Sequence, residues 1–127
     1  MANEVRSELR YTKTHEWLKV KGKTALVGIT DHAQAELTDI VFVELPSPGK
    51  QVKKGEELCV VESVKSASEI YAPVSGKVVS VNKKLEDSPE TINQHPYDDG
   101  WLVEIEFSQN SEVTSLLDAE SYKKIIK

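Results

Sequence analysis

ELCVVESVKSASEIYAPVSGKVVSVN, residues 57–82, alternates apolar, strand-forming runs with short breaks: strand, tight turn, strand, turn, strand. The runs 57–62 and 67–72 are matched in length and suited to pairing as a hairpin. Ser63-Val64-Lys65-Ser66 is then left to reverse the chain, with Val64 and Lys65 as its two central residues. Lys65 therefore points outward from a hairpin tip. Val64 is poor turn chemistry, because it is β-branched and apolar with no Gly, Asn or Asp beside it. Spacing alone leaves two readings open. Lys65 is an ordinary surface lysine, as most lysines are, or the hairpin exists to present one primary amine to a modifying enzyme.

Working outward, similar runs at 16–20, 24–29, 41–45 and 101–107 are expected strands. In the last, Trp101, Val103, Ile105 and Phe107 alternate with Leu102, Glu104 and Glu106, the period of a strand with one buried face. Turn signals recur between the runs, and Ser47-Pro48-Gly49-Lys50 suits a type II turn with Gly49 in its positive-φ position. Many short strands at near-regular spacing predict a mainly β sandwich or barrel, folded as one domain over 1–127. Helices are expected only at the periphery. One runs near 31–37 behind Thr30 or Asp31 as N-cap, one turn lies at 89–93 behind Ser88-Pro89, and one runs near 119–126 behind Asp118 with Lys123, Lys124 and Lys127 at its C-terminal end.

A chain of 127 residues with 39% hydrophobic and 29% charged side chains is long and apolar enough to bury a core without disulfides or metal. Its 21 acids against 16 bases give a net charge of −5, which disfavours wholesale binding to nucleic acid or to an anionic membrane. The longest apolar run, Ile40-Val41-Phe42-Val43, is far short of a membrane span, and MANEVRSELR lacks a signal peptide's apolar stretch. A cytoplasmic protein is expected. Neither GxGxxG nor GxxxxGK occurs, and three scattered histidines with one cysteine match no zinc-ligand spacing, so no metal site is expected. Cys59 lies in the apolar run 58–61 and reads as buried and inert.

The motif ESVKSASE at 62–69, followed by YAPVSGKV at 71–78 and VN at 81–82, resembles the lipoylation segment of the glycine cleavage system H protein family. Further blocks follow the family's order: Tyr11 with His15-Glu16-Trp17, VGITDHAQ at 27–34, DIVFVELP at 39–46, LEDSPE at 85–90 and PYDDGW at 96–101. The resemblance implies a barrel-sandwich hybrid, as in lipoyl and biotinyl carriers, with lipoic acid held in amide linkage on Lys65. Biotin carriers usually have methionines around the lysine, where this chain has Val64 and Ser66. Thr38 and Cys59 stand where family members commonly have glycine, Ser66 where alanine or threonine is frequent, and Glu36 where some members have histidine.

The resemblance also implies a non-catalytic carrier. A pyridoxal-phosphate glycine decarboxylase would pass an aminomethyl group and electrons to the arm, an aminomethyltransferase would move the one-carbon unit to tetrahydrofolate, and dihydrolipoamide dehydrogenase would reoxidise the dithiol. Lipoate-attaching enzymes are implied as further partners, and a shuttle of this kind suits a monomer. Glu16 is the family-matched candidate to hold the arm's ammonium, with Glu36 and Asp31 as further carboxylates. Glu62, Ser63, Val64, Ser66 and Glu69 surround the tip as its recognition surface, with Glu62 and Glu69 flanking Lys65 at near-equal distance along the two strands. The rival readings are a lipoyl relay or regulatory lipoyl carrier not tied to glycine decarboxylation, a biotinyl carrier, and an unmodified β-sandwich binding module.

Overall fold

The structure, a computed structural model, describes residues 4–126. Among these, the strands are β1 (Arg10–Tyr11), β2 (Glu16–Lys21), β3 (Thr24–Ile29), β4 (Ile40–Glu44), β5 (Gln51–Val52), β6 (Glu57–Ser63), β7 (Ala67–Tyr71), β8 (Gly76–Val81) and β9 (Val103–Phe107). Short helices lie between and after them: α1 (Asp31–Leu37), α2 (Lys84–Asp87), α3 (Thr91–Gln94), α4 (Asn110–Thr114) and α5 (Ala119–Ile125). One antiparallel sheet has the order β1-β2-β3-β9-β8-β5, and the other the order β4-β6-β7. The chain is mainly β with a sandwich-like packing of sheets, as expected.

The inward residues of both sheets meet in one apolar cluster, with Val27, Ile29, Val43, Val61, Ile70, Val78, Leu102 and Ile105 among its members. A second cluster of Leu9, Tyr11, Trp17, Tyr97, Ala119 and Tyr122 packs α5 against the outer end of the large sheet, where the Tyr11 and Tyr122 rings stack at 4.5 Å. The Pro48-Gly49 turn forms as predicted: Gly49 has φ +98°, and the Lys50 N–H donates to the Ser47 carbonyl at 3.2 Å.

Several boundaries differ from expectation. The last strand begins at Val103 rather than Trp101, although Leu102 N–H still donates to the Val27 carbonyl of β3 at 2.8 Å. The expected turn at 89–93 is α3, which starts two residues later behind Glu90 with no side-chain cap. Thr30, not Asp31, caps α1, its hydroxyl accepting from Ala33 N–H at 3.1 Å. Ile126 is the C-cap of α5, and Lys127 lies outside the described residues.

Two features place the hairpin tip. Thr38 ends α1 with φ +66°, a strained conformation for a residue with a side chain, and Asn93 of α3 holds it there. The Asn93 side-chain amide donates to the Thr38 carbonyl at 2.8 Å, while its oxygen accepts from Ile40 N–H at 3.0 Å. The start of β4 is thereby fixed, and Asp39 between these contacts becomes an anchor for the tip.

Candidate functional site

The β6–β7 hairpin closes where expected, with Ser63 N–H donating to the Ser66 carbonyl at 2.8 Å. The turn does not need Gly or Asn because Ser63 supplies the missing chemistry. Its hydroxyl oxygen accepts from the N–H groups of Lys65 and Ser66 at 3.3 and 3.2 Å, and the hydroxyl lies 3.2 Å from the Ser66 carbonyl as donor. Val64 N–H donates to the Asp39 carbonyl at 3.0 Å, so the tip is also pinned sideways to the strand next door. Val64, Lys65 and Ser66 are all exposed, and no ion pair among the described residues engages Lys65. We expect Ser63→Ala to cost about 1 kcal/mol of local order. Amide exchange should become faster at Lys65 and Ser66 while the global melting temperature stays put; unchanged exchange there would refute the role of this hydroxyl.

Beside β7, a groove of about 540 Å³ is lined by Lys13, Thr14, His15, Ala67, Ser68, Glu69 and Tyr71. One wall is the loop between β1 and β2, where His15 is held at φ +72°. Glu16 sits behind that wall and is 1% exposed, so it is not the solvated strand carboxylate that its sequence position allows. One of its oxygens accepts from the hydroxyls of Thr12 and Thr14, and the other from Tyr71 N–H at 3.3 Å. Burial raises its pKa, and the hydrogen bonds only partly offset this.

The raised value has a consequence for stability. Folded protein keeps the Glu16 proton at a pH where the unfolded chain has lost it, so Glu16 makes stability rise as pH falls through the folded pKa. Glu16→Gln lacks that proton, and we expect the stability difference between wild type and variant to shift toward wild type on acidification, measured by denaturant melts from pH 8 to 4. A pH-independent difference would show that the carboxylate is not destabilised by burial.

The remaining candidates are distributed unevenly. Glu36 lies 4.0 Å from His32 Nε2, and the His32 ring is 4.7 Å from that of His15, so Glu36 stands two contacts away from the groove. Asp31 is turned elsewhere, accepting from Glu4 N–H at 2.9 Å and from the Gln34 amide at 2.7 Å. Glu62 and Glu69 do not flank the tip symmetrically. Glu62 pairs with Ala67 in the row next to the tip, whereas Glu69 pairs with Val60 two rows farther and accepts from the Tyr71 hydroxyl at 3.0 Å. Cys59 is buried, and burial pushes its thiol far above the ordinary range, in keeping with an inert residue. Trp17 is core, its indole N–H donating to the Pro96 carbonyl at 2.9 Å. Thr12, Thr14, Ser68 and Tyr71 escape sequence reading, because the contacts that unite them join distant segments. A larger cavity of about 690 Å³ opens at the hairpin's other end, but Glu112 is already spent there on the Ser75 N–H and hydroxyl at 2.7 and 2.9 Å.

The family model described as "Glycine cleavage H-protein" matches residues 9–127. The chain belongs to the glycine cleavage H-protein family. A glycine cleavage system H protein of Endomicrobium trichonymphae is 58% identical over 119 residues, covering 94% of this chain and 96% of the relative. One of Staphylococcus haemolyticus is 54% identical over 122 residues, covering 96% and 97%. The crystal structure of a glycine cleavage system H protein from Mycobacterium marinum superposes with a TM-score of 0.87 at 38% identity, covering 94% of this chain and 97% of that one. As a glycine cleavage H-protein, the chain is a lipoyl carrier of the glycine cleavage system and not itself a catalyst. Membership implies glycine decarboxylase and aminomethyltransferase as partners. No helix among the described residues is long and apolar enough to cross a membrane.

Proposed function

We propose that Lys65 is the residue that carries the lipoyl group, in amide linkage through Nζ, on a single carrier domain. The observation that carries this reading is an exposed amine, in no ion pair among the described residues, on a turn that Ser63 and Asp39 hold still. The residues fit such a group, because the amine is open to a modifying enzyme and a groove for the far end of an arm lies along the same hairpin. Once bound, the lipoyl group supplies a dithiolane that takes up two electrons and a one-carbon unit together.

The chain's own residues bind and shield. Thr14 donates its hydroxyl proton to Glu16, which leaves its lone pairs available on the groove side, and Glu69 adds a carboxylate to the same lining. Acceptors of this kind suit a protonated amine. Glu16 acts through Thr12 and Thr14 as a positioning residue, a revision of direct contact with the cargo that its burial supports. Dihydrolipoamide dehydrogenase and a lipoate-attaching enzyme complete the set of partners in this reading. A monomer suits one tip that must enter several active sites, and a reducing cytoplasm suits a free, buried Cys59.

The direct test is lipoylation of the unmodified chain by a lipoate–protein ligase with lipoate and ATP, followed by intact-mass measurement and peptide mapping. One lipoyl addition on Lys65 is expected; addition at another lysine overturns the assignment. Loading of the modified chain by purified glycine decarboxylase separates the glycine-cleavage role from a lipoyl relay.

A further inference from the structure

We propose that Val41, Phe42 and Val64, framed by Glu44 and Glu62, form the docking surface for the enzyme that acylates Lys65, and that this enzyme presents an apolar patch rimmed by lysine or arginine. The inference rests on the reading of Lys65 given above and adds the partner that the tip is shaped for.

Strict alternation along β4 would bury Phe42 with Ile40 and expose Val43. A bulge intervenes: Ile40 pairs with Ser63 but Phe42 pairs with Glu62, so two steps on β4 match one on β6. Val43 turns inward at 2% exposure, while Val41 and Phe42 are left at 54% and 49%. Val64, at 66%, is tied by its N–H to the Asp39 carbonyl and so stands at the start of the same strand. Three of the six exposed large apolar side chains among the described residues thus gather around one lysine. Folding gains nothing from exposing them, and a patch of this kind marks an interaction site.

Charge selects the occupant. Strands β4, β6 and β7 together carry Glu44, Glu57, Glu62 and Glu69 and no lysine or arginine. Cross-strand register puts Phe42, Glu62 and Ala67 in the row just behind Ser63 and, past Val43, Val61 and Ser68, Glu44, Val60 and Glu69 two rows on. Lys65 therefore stands at the tip of a sheet whose own strands carry only acidic charge, with Lys13 and Lys50 on the loops flanking it, and a basic rim on the partner complements the strand carboxylates. Reach decides which partner. Enzymes that act on the end of a long arm can stand off from the tip, whereas an enzyme that acylates Nζ has only the four-carbon lysine stem to work with. It must approach until its surface meets Val64 and Phe42.

The test uses the full unmodified chain, a lipoate–protein ligase, lipoate and ATP, with rates from intact mass. Phe42→Ser is expected to raise KM at least tenfold with kcat within twofold and an unchanged melting temperature, Phe42→Leu to restore most of the affinity, and added salt to raise the wild-type KM. Wild-type KM in Phe42→Ser and in Val41→Thr overturns the inference while leaving Lys65 as the modified residue. Mapping of the wild-type label to another lysine overturns both readings. Normal ligation of Phe42→Ser combined with lost loading by glycine decarboxylase assigns the patch to a different partner, and a concentration-dependent dimer of wild type abolished by Phe42→Ser assigns it to a second copy; either result overturns the proposal.

Discussion

Lys65→Arg is expected to reduce glycine-cleavage turnover in a reconstituted system to background while leaving the fold untouched. Arginine keeps the positive charge and the length but has no amine that can be acylated, and its guanidinium stays protonated throughout the accessible pH range. The position tolerates the change, because Lys65 is exposed, takes part in no ion pair among the described residues and holds the turn only through its backbone. Stability should stay within about 0.5 kcal/mol of wild type, as for surface substitutions that touch nothing. Intact mass after incubation with ligase, lipoate and ATP should give no adduct. Retained turnover in the variant would remove Lys65 from the mechanism.

The largest structural effect is expected at Gly76, where β8 leaves no room for a side chain against β9. A Cβ built at this position would lie 2.2 Å from the Glu106 carbonyl oxygen and 2.8 Å from the Phe107 Cα, both backbone atoms. Neither strand can retreat cheaply. Gly76 is paired with Val52 on one side and with Phe107 on the other, and β9 is itself paired with β3. Gly76→Ala should therefore cost about 3 kcal/mol or more and lower the melting temperature by roughly 10 °C. That is a large share of the 5–15 kcal/mol that roughly bounds a domain of this kind. A melting temperature within two or three degrees of wild type would mean that the strands part more easily than their register suggests.

The hairpin, the Pro48-Gly49 turn and the long strands were legible because each carries its signal within a few residues. β1 and β5 were not, since two residues cannot display a period, and their pairing with Leu18, Trp17, Lys77 and Gly76 is decided by distant chain. The bulge in β4 was hidden for another reason. Ile40-Val41-Phe42-Val43 is apolar at every position, so composition could not say which two side chains face outward. Lys65 was legible as a tip residue, whereas the means of holding it was not. Ser63 looks like any serine in a turn until its hydroxyl is found accepting two N–H groups, and Asp39 lies 25 positions before the valine it anchors. Glu16 was legible as a candidate carboxylate for the arm but its burial was not, because nothing in the His15-Glu16-Trp17 block reveals that Thr12 and Thr14 fold back over it.

A tether fixed to the Ser63–Ser66 turn pivots about a stationary point, because the turn is fastened both within itself and to Asp39. The volume its free end sweeps is then set by the tether and not by breathing of the loop beneath it. Effective concentration at a neighbouring active site falls roughly as the −3/2 power of tether length, so a floppy pedestal would act as extra length and thin the cargo out. Glycines inserted at the tip would thus slow every hand-over together, with each individual affinity for free lipoamide left as it was.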